Sequence, residues 1–527
     1  MGRRRVMIRM TQAARSPVTG RVAALVLMVA AGDGALGSRV PGTAVGGTVL
    51  SAATRDLPLI EAVKLGNSAA ARRLIQQRAD VNAPDVDGTT PLHWAVHRAD
   101  LETVTLLIQA GARAGAANRY GMTPLLLACV NGHAAVVQAL LNAGADPNTR
   151  MPEGDTALMT AARTGDVGVV KALLAAGADV NARESWKGQT ALMWAAAENN
   201  AAVVTTLVEA GADMRARSRG PDPRDSAGEG KKTGNGMIIG RKYDAFTPFM
   251  FAVRAGQIDA VRALLAAGAD VNETLPGGMS ALVLATAGAH YDLAVFLLDR
   301  GADPNAAAQG WTALHQIAWT RRPNSGANIP GPVSRGDVDS LAMVTALLAR
   351  GADINARVTK DPDYYYIGRN GMSYVGGTAL LIAGNKVDAP LMRQLLDSGA
   401  EMRTPTKAGI TPLMAAAGVG LWSQGENPGT AEEATETVSL LLARGVDVAA
   451  IDAEGNTALH GAALRGFNGA VNLLVARGAR LDVRNKAGWT PWRVAEGIYA
   501  NDGFKRAPET AALLRQLMQD RGVWAEN

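Results

Sequence analysis

Apolar positions along this chain recur in short helical stripes separated by polar turns. In residues 156–181 a threonine opens an apolar stretch, Thr156-Ala-Leu-Met, and the alanine pair Ala161-Ala162 follows. After a turn at Gly165 a second stretch places Val170, Leu173 and Leu174 at i, i+3, i+4 spacing, and Gly177-Ala-Asp-Val-Asn181 closes the segment. That spacing predicts two short helices, each with one face to bury. Threonine suits an N-cap, and proline next to it suits the first helical position, where its missing N–H costs nothing. Gly132, Gly165, Gly256 and Gly466 stand where the first helix has to end with positive φ. One such pair of helices cannot bury its own apolar face, whereas stacked copies can.

The copies are present. Thr-Pro/Ala-Leu begins at Thr90, Thr123, Thr156, Thr190, Thr312, Thr378, Thr411 and Thr457, with variants at Thr247, Ser280 and Thr490. Most spacings equal 33 residues within one, and the longer intervals imply insertions at about 217–243, 321–337, 357–374 and 419–433.

Thr90-Pro-Leu-His93, the Val-x-x-Leu-Leu run of the second helix and the closing Gly-Ala-Asp-Val-Asn, recurring in register, resemble the ankyrin repeat family. The resemblance implies an all-α solenoid of about 12 helix-turn-helix units with finger loops and a concave face. It covers residues 57–522, with units starting near 57, 89, 122, 155, 189, 246, 279, 311, 377, 410, 456 and 489. The first unit, Leu59–Asn82, lacks the Thr-Pro start and the last lacks Gly-Ala-Asp, as capping units should. The implied activity is protein binding through the first-helix face and finger tips, without turnover. By family position, the contact residues on fingers are Tyr120, Trp186, Lys187, Tyr243, Trp311 and Tyr374. On first helices they are His97, Arg98, Arg163, Glu198, Arg254, Trp319, Asn385 and Lys386. Trp94 and Trp194, four residues after their threonines, are expected in the core.

Charge changes the picture only at the N-terminus. Residues 1–37 carry six Arg against one acid, and the remaining 490 residues carry 47 bases and 47 acids. That balance argues against a nucleic-acid partner. The basic start, the ten apolar residues Val22–Ala31 and Ala35-Leu36-Gly37 before Ser38 read as an export signal over 1–37. A linker at 38–56 and a tail at 523–527 complete the organisation. The expectation is a periplasmic or extracellular protein, with a cytoplasmic one bearing a basic tail as the alternative. No other apolar run is long enough to span a membrane, so no insertion is expected once the leader is gone. A monomer is expected.

Candidate chemistry is sparse. A single Cys excludes disulfide scaffolds and cysteine-based zinc clusters. His93, His315 and His460 share the fourth position of the repeat motif, where a ring bonds across the helix start to adjacent backbone. Cys129 is expected as a small buried residue, and Glu432-Glu433 as solvated charge within an insertion. No catalytic residue, metal ligand or cofactor is assigned. The finger insertions stand apart. Residues 217–243 are basic and glycine-containing, and 357–374 hold Tyr364, Tyr365, Tyr366 and Tyr374, half of the eight tyrosines. Such a cluster suits an interface; alternatively the rings fold back over neighbouring repeats. An enzyme or small-molecule binder with its site in these two fingers is the second functional reading.

Overall fold

A computed structural model describes residues 57–219, 245–322, 332–362, 372–421, 429–500 and 503–523. All of these belong to one compact unit, Asp56–Asn527. The expected export signal, the linker, Tyr243, the Tyr364–Tyr366 cluster and the last four residues of the tail lie outside the described residues.

The described residues form 24 helices and one two-stranded hairpin. The unit starting near 155 shows why the sequence folds this way. Thr156 caps the helix Ala157–Thr164 by accepting from the Met159 N–H at 3.2 Å. Gly165, at φ +84°, ends that helix in the left-handed region, which a Cβ would strain. Asp166 then caps Val167–Ala175, accepting from the Val169 N–H at 2.9 Å. Leu158, Ala161, Ala162, Val169, Val170 and Leu173 are all buried. Thr123, Thr190, Thr247, Thr378 and Thr411 cap their helices in the same way. Gly132, Gly256 and Gly466 take positive φ, as their positions require.

Units are joined by packing and by two hydrogen-bond ladders. First helices pack on first helices and second on second, as Pro124–Asn131 does on Ala157–Thr164 and Ala134–Asn142 on Val167–Ala175. The closing asparagine of one unit reaches the next. Asn148 donates to the Gly177 carbonyl at 3.1 Å and accepts from the Asp179 N–H at 2.8 Å. Asn181, Asn272 and Asn305 repeat both bonds. The second ladder uses the repeat histidines. His93, His315 and His460 each accept the N–H of their N-cap threonine at Nδ1. Their Nε2 atoms lie 3.0 Å from the carbonyls of Met122, Ala356 and Trp489 in the following fingers. Burial lowers the basicity of all three rings, that of His315 to about 4, and so favours neutral imidazole.

Two regions depart from the expected pattern. Glu432 is solvated as expected, but it and Glu433 stand on a helix rather than a loop, because Ala431–Leu442 begins before them. Thr430 accepts from the Glu433 N–H and Glu433 accepts from the Thr430 N–H, a reciprocal cap that extends the helix into the insertion. In the last unit, strands Ile498–Ala500 and Gly503–Lys505 pair between the helices Pro491–Glu496 and Pro508–Asp520. Thirteen residues long, the final helix buries Ala511, Leu514 and Met518 and exposes its other face, as a terminal cap must.

Candidate functional site

Fingers of successive units are tied edge to edge. Backbone bonds run from Arg119 N to Asp87 O at 2.9 Å, Ser185 N to Glu153 O at 3.3 Å and Arg219 N to Lys187 O at 2.6 Å. Arginines add a third ladder. Arg150 donates to the Arg183 carbonyl at 3.0 Å, Arg183 to the Arg217 carbonyl at 2.7 Å and Arg217 to the Ala245 carbonyl at 3.0 Å.

Trp186 and Lys187 sit on the best-built of these turns. The buried carboxylate of Glu184 accepts from the N–H groups of Trp186 at 2.5 Å, Lys187 at 2.8 Å and Gln189 at 2.8 Å. Held in this way, Trp186 remains 70% exposed, with the Lys187 ammonium 4.8 Å from its ring centre. Tyr120 is half-buried on its finger, with the Arg119 guanidinium 4.8 Å from its ring. Trp94 and Trp194 are half-buried rather than core residues. Lys64 lies 4.9 Å from the first ring and Arg163 lies 5.5 Å from the second. Each ring keeps a cation against one side while its indole N–H is buried.

Trp311, Trp319 and Tyr374 are corrected from contact surface to core. Trp319 meets Trp311 and Tyr374 edge-on, both at 5.7 Å between ring centres, and all three are buried. Trp311 donates to Gln316 at 2.8 Å and Tyr374 to Asn385 at 2.7 Å. Tyr374 therefore folds back over its neighbours, and burial pushes its hydroxyl pKa up.

Asn385 and Lys386, expected in the groove, are buried as well. The described ends of three insertions close over the turn at 385–388. Arg321 binds the buried Asp388 carboxylate at 2.7 and 3.2 Å. Arg322 donates to the Val387 carbonyl at 2.9 Å and grips Glu433 with both η nitrogens at 3.0 and 2.6 Å. The Met372 sulfur accepts from the Asn385 amide at 3.3 Å. Lys386 Nζ is buried with no hydrogen-bond partner, and burial pushes its pKa down to about 8. The remaining first-helix positions are at the surface, with His97 half-buried and Arg98, Glu198 and Arg254 exposed.

Cys129 is buried and its thiol is pushed up to about 12, the opposite of an activated nucleophile. Among the described residues no three His, Cys, Asp or Glu side chains gather as a metal site, and no helix is long and apolar enough to cross a membrane. The finger insertions 217–243 and 357–374 lie mostly outside the described residues.

Stacked helix pairs, capped by threonine and bonded by asparagine and histidine ladders, define a repeat solenoid. The family model for ankyrin repeats matches residues 59–151, 148–218 and 249–358, and a single-repeat model matches 454–486. The chain belongs to the ankyrin repeat family. It is 38% identical over 255 residues to human ankyrin repeat and SOCS box protein 16, covering 48% of each chain. It is 27% identical over 270 residues to the E3 ubiquitin-protein ligase KEG of Arabidopsis thaliana, covering 45% of this chain and 15% of that protein. To the putative ankyrin repeat protein YahD of Escherichia coli it is 28% identical over 232 residues, 44% of this chain and 96% of that protein. The chain thus spans less than half the length of the first two relatives. Ankyrin repeats are generally protein–protein interaction modules, and that coarse function is carried by the family.

Proposed function

We propose that this chain is a non-catalytic protein-binding scaffold that contacts its partner with the concave first-helix face and the fingers. The observation that carries the reading is the Trp186 turn. A buried carboxylate holds three backbone N–H groups so that a large indole stands in solvent, ready to bury its area against another surface at low entropic cost. Tyr120, Trp94 and Trp194, each with a cation against its ring, extend the same kind of surface over neighbouring units. The protein acts as a monomer, and residues 1–37 direct it out of the cytoplasm. N-terminal sequencing of the purified native protein tests that export: a start near Ser38 is expected, and an intact leader overturns it.

Affinity capture from native extract tests the scaffold. The full chain is compared with the double variant Trp186→Ser, Lys187→Ser. A protein retained by the first and lost by the second is the expected result. Retention of nothing by either chain overturns the reading.

A further inference from the structure

We infer that the fingers between residues 113 and 219 form a basic band that takes an extended, acidic segment of a partner protein. This rests on the scaffold reading and specifies its partner. The even charge balance of the chain hides a segregation. Fingers 116–122, 149–155, 182–189 and 216–219 carry six bases against three acids. The second helices and closing loops between residues 101 and 215 reverse the sign, with Glu102, Asp146, Asp179, Glu209 and Asp213 against Arg113, Lys171 and Arg215.

Two of the three finger acids are withheld from direct contact with a ligand. Glu184 is buried with its oxygens taken by the turn's N–H groups, and Asp155 is half-buried. Only Glu153 stands exposed among Arg119, Arg150, Arg183, Arg217 and Arg219, all of them exposed. The ladder fixes Arg150, Arg183 and Arg217 in a row. Among the described residues Arg150 and Arg183 use Nη1 alone, on two carbonyls each, and keep Nε and Nη2 for carboxylates, whereas Arg217 is already paired with Glu273 at 3.3 Å. Helices pack about 8–10 Å apart, so successive fingers should recur at roughly that interval. An extended chain rises about 3.3 Å per residue, so one carboxylate every third residue keeps step with the fingers. Between the carboxylates, apolar or aromatic side chains meet Tyr120, Pro152 and Trp186.

A nucleic-acid strand fits this surface less well. A phosphate at every nucleotide would meet the acids Glu153 and Asp155 as well as the arginines, whereas carboxylates spaced along a peptide need meet only the arginines.

The test is to pan a phage-displayed library of random twelve-residue peptides on the full chain. An enriched peptide is then synthesised and titrated, following tryptophan fluorescence. Enriched sequences are expected to carry Asp or Glu at three-residue intervals. Their affinity should fall about tenfold or more in the variant Arg119→Glu, Lys187→Glu and again as salt is raised from low to high ionic strength. The variant should keep the thermal unfolding of the parent. Neutral or basic enriched sequences, no enrichment, or affinity indifferent to the charge reversal would overturn the inference. So would displacement of the peptide by a random oligonucleotide that binds more tightly. If native capture yields a protein through a contact that Lys187→Glu leaves unchanged, the scaffold stands and the acidic segment falls. If panning and capture both fail, both fall.

Discussion

Replacing Lys386 with methionine should stabilise the protein. The side chain lies buried beside the turn that three insertions close over, and its ammonium has no hydrogen-bond partner. Burial lowers its pKa from 10.5 to about 8, and among the described residues no ion pair offsets the shift. At about 1.4 kcal/mol per unit, the charged form costs about 3 kcal/mol in the folded state. The folded pKa lies below the unfolded one, so protons favour the unfolded chain. Below pH 8 the amine is charged in both states and the full cost applies. As the pH rises towards 10.5 the folded amine is neutral first, and the cost disappears. Methionine keeps the length of the stem without the charge. Lys386→Met should therefore gain about 3 kcal/mol at pH 7 and almost nothing at pH 10.5. Native-state hydrogen exchange of the helix Ala379–Asn385 at both pH values, on variant and parent, reads the difference locally. A variant no more stable than its parent at pH 7, or a gain that does not change with pH, would refute the reasoning.

Other perturbations test the repeat itself. Leu173→Ala leaves a cavity beneath the second helix Val167–Ala175 and should cost about 2–5 kcal/mol, read as earlier urea unfolding. Asn148→Ala removes both rungs between two units and should cost about 1–3 kcal/mol, visible as faster exchange at Asp179 N–H. Arg322→Ala and Glu433→Gln should each destabilise, and a double-mutant cycle should return a coupling of about 1 kcal/mol, modest because both groups are partly solvated. Arg322 holds the Glu433 carboxyl below its usual pKa, so that coupling should persist at neutral pH and fade as acid protonates the Glu433 carboxylate. Trp186→Ser should leave thermal unfolding unchanged, since the Glu184 bonds go to backbone rather than to the ring.

Local rules made most of the fold legible. Threonine caps, left-handed glycines and the buried Leu173 stripe depend on residues within one unit, where sequence spacing and spatial spacing coincide. The asparagine ladder was hidden because it joins residues about 30 apart through a polar side chain that reads as an ordinary turn former. Position within a repeat also failed to predict exposure wherever an insertion intervened. Trp311, Trp319, Asn385 and Lys386 occupy contact positions by register, yet chain added at the ends of the insertions covers them. Trp186 stands exposed, and there register and structure agree. Glu184 escaped notice because a single buried acid in a finger looks like any surface charge until its three N–H partners are seen. The terminal hairpin left only two three-residue strands to find, too short for an alternating pattern to show.

The Arg321–Arg322 pair bears on how such a chain can be edited. Arrays in which every unit touches only its neighbours can lengthen or shorten by whole units, since each cut breaks one seam and makes an equivalent one. Here the guanidinium of Arg322 passes the unit near 377 and closes on Glu433 in the unit beyond it, while Arg321 fastens the unit between. Removing that middle unit would leave Arg321 without Asp388 and bring Arg322 against the wrong neighbour. Residues 311–445 therefore form a cassette that duplication, deletion or grafting has to move as one piece, set among units that can be exchanged singly.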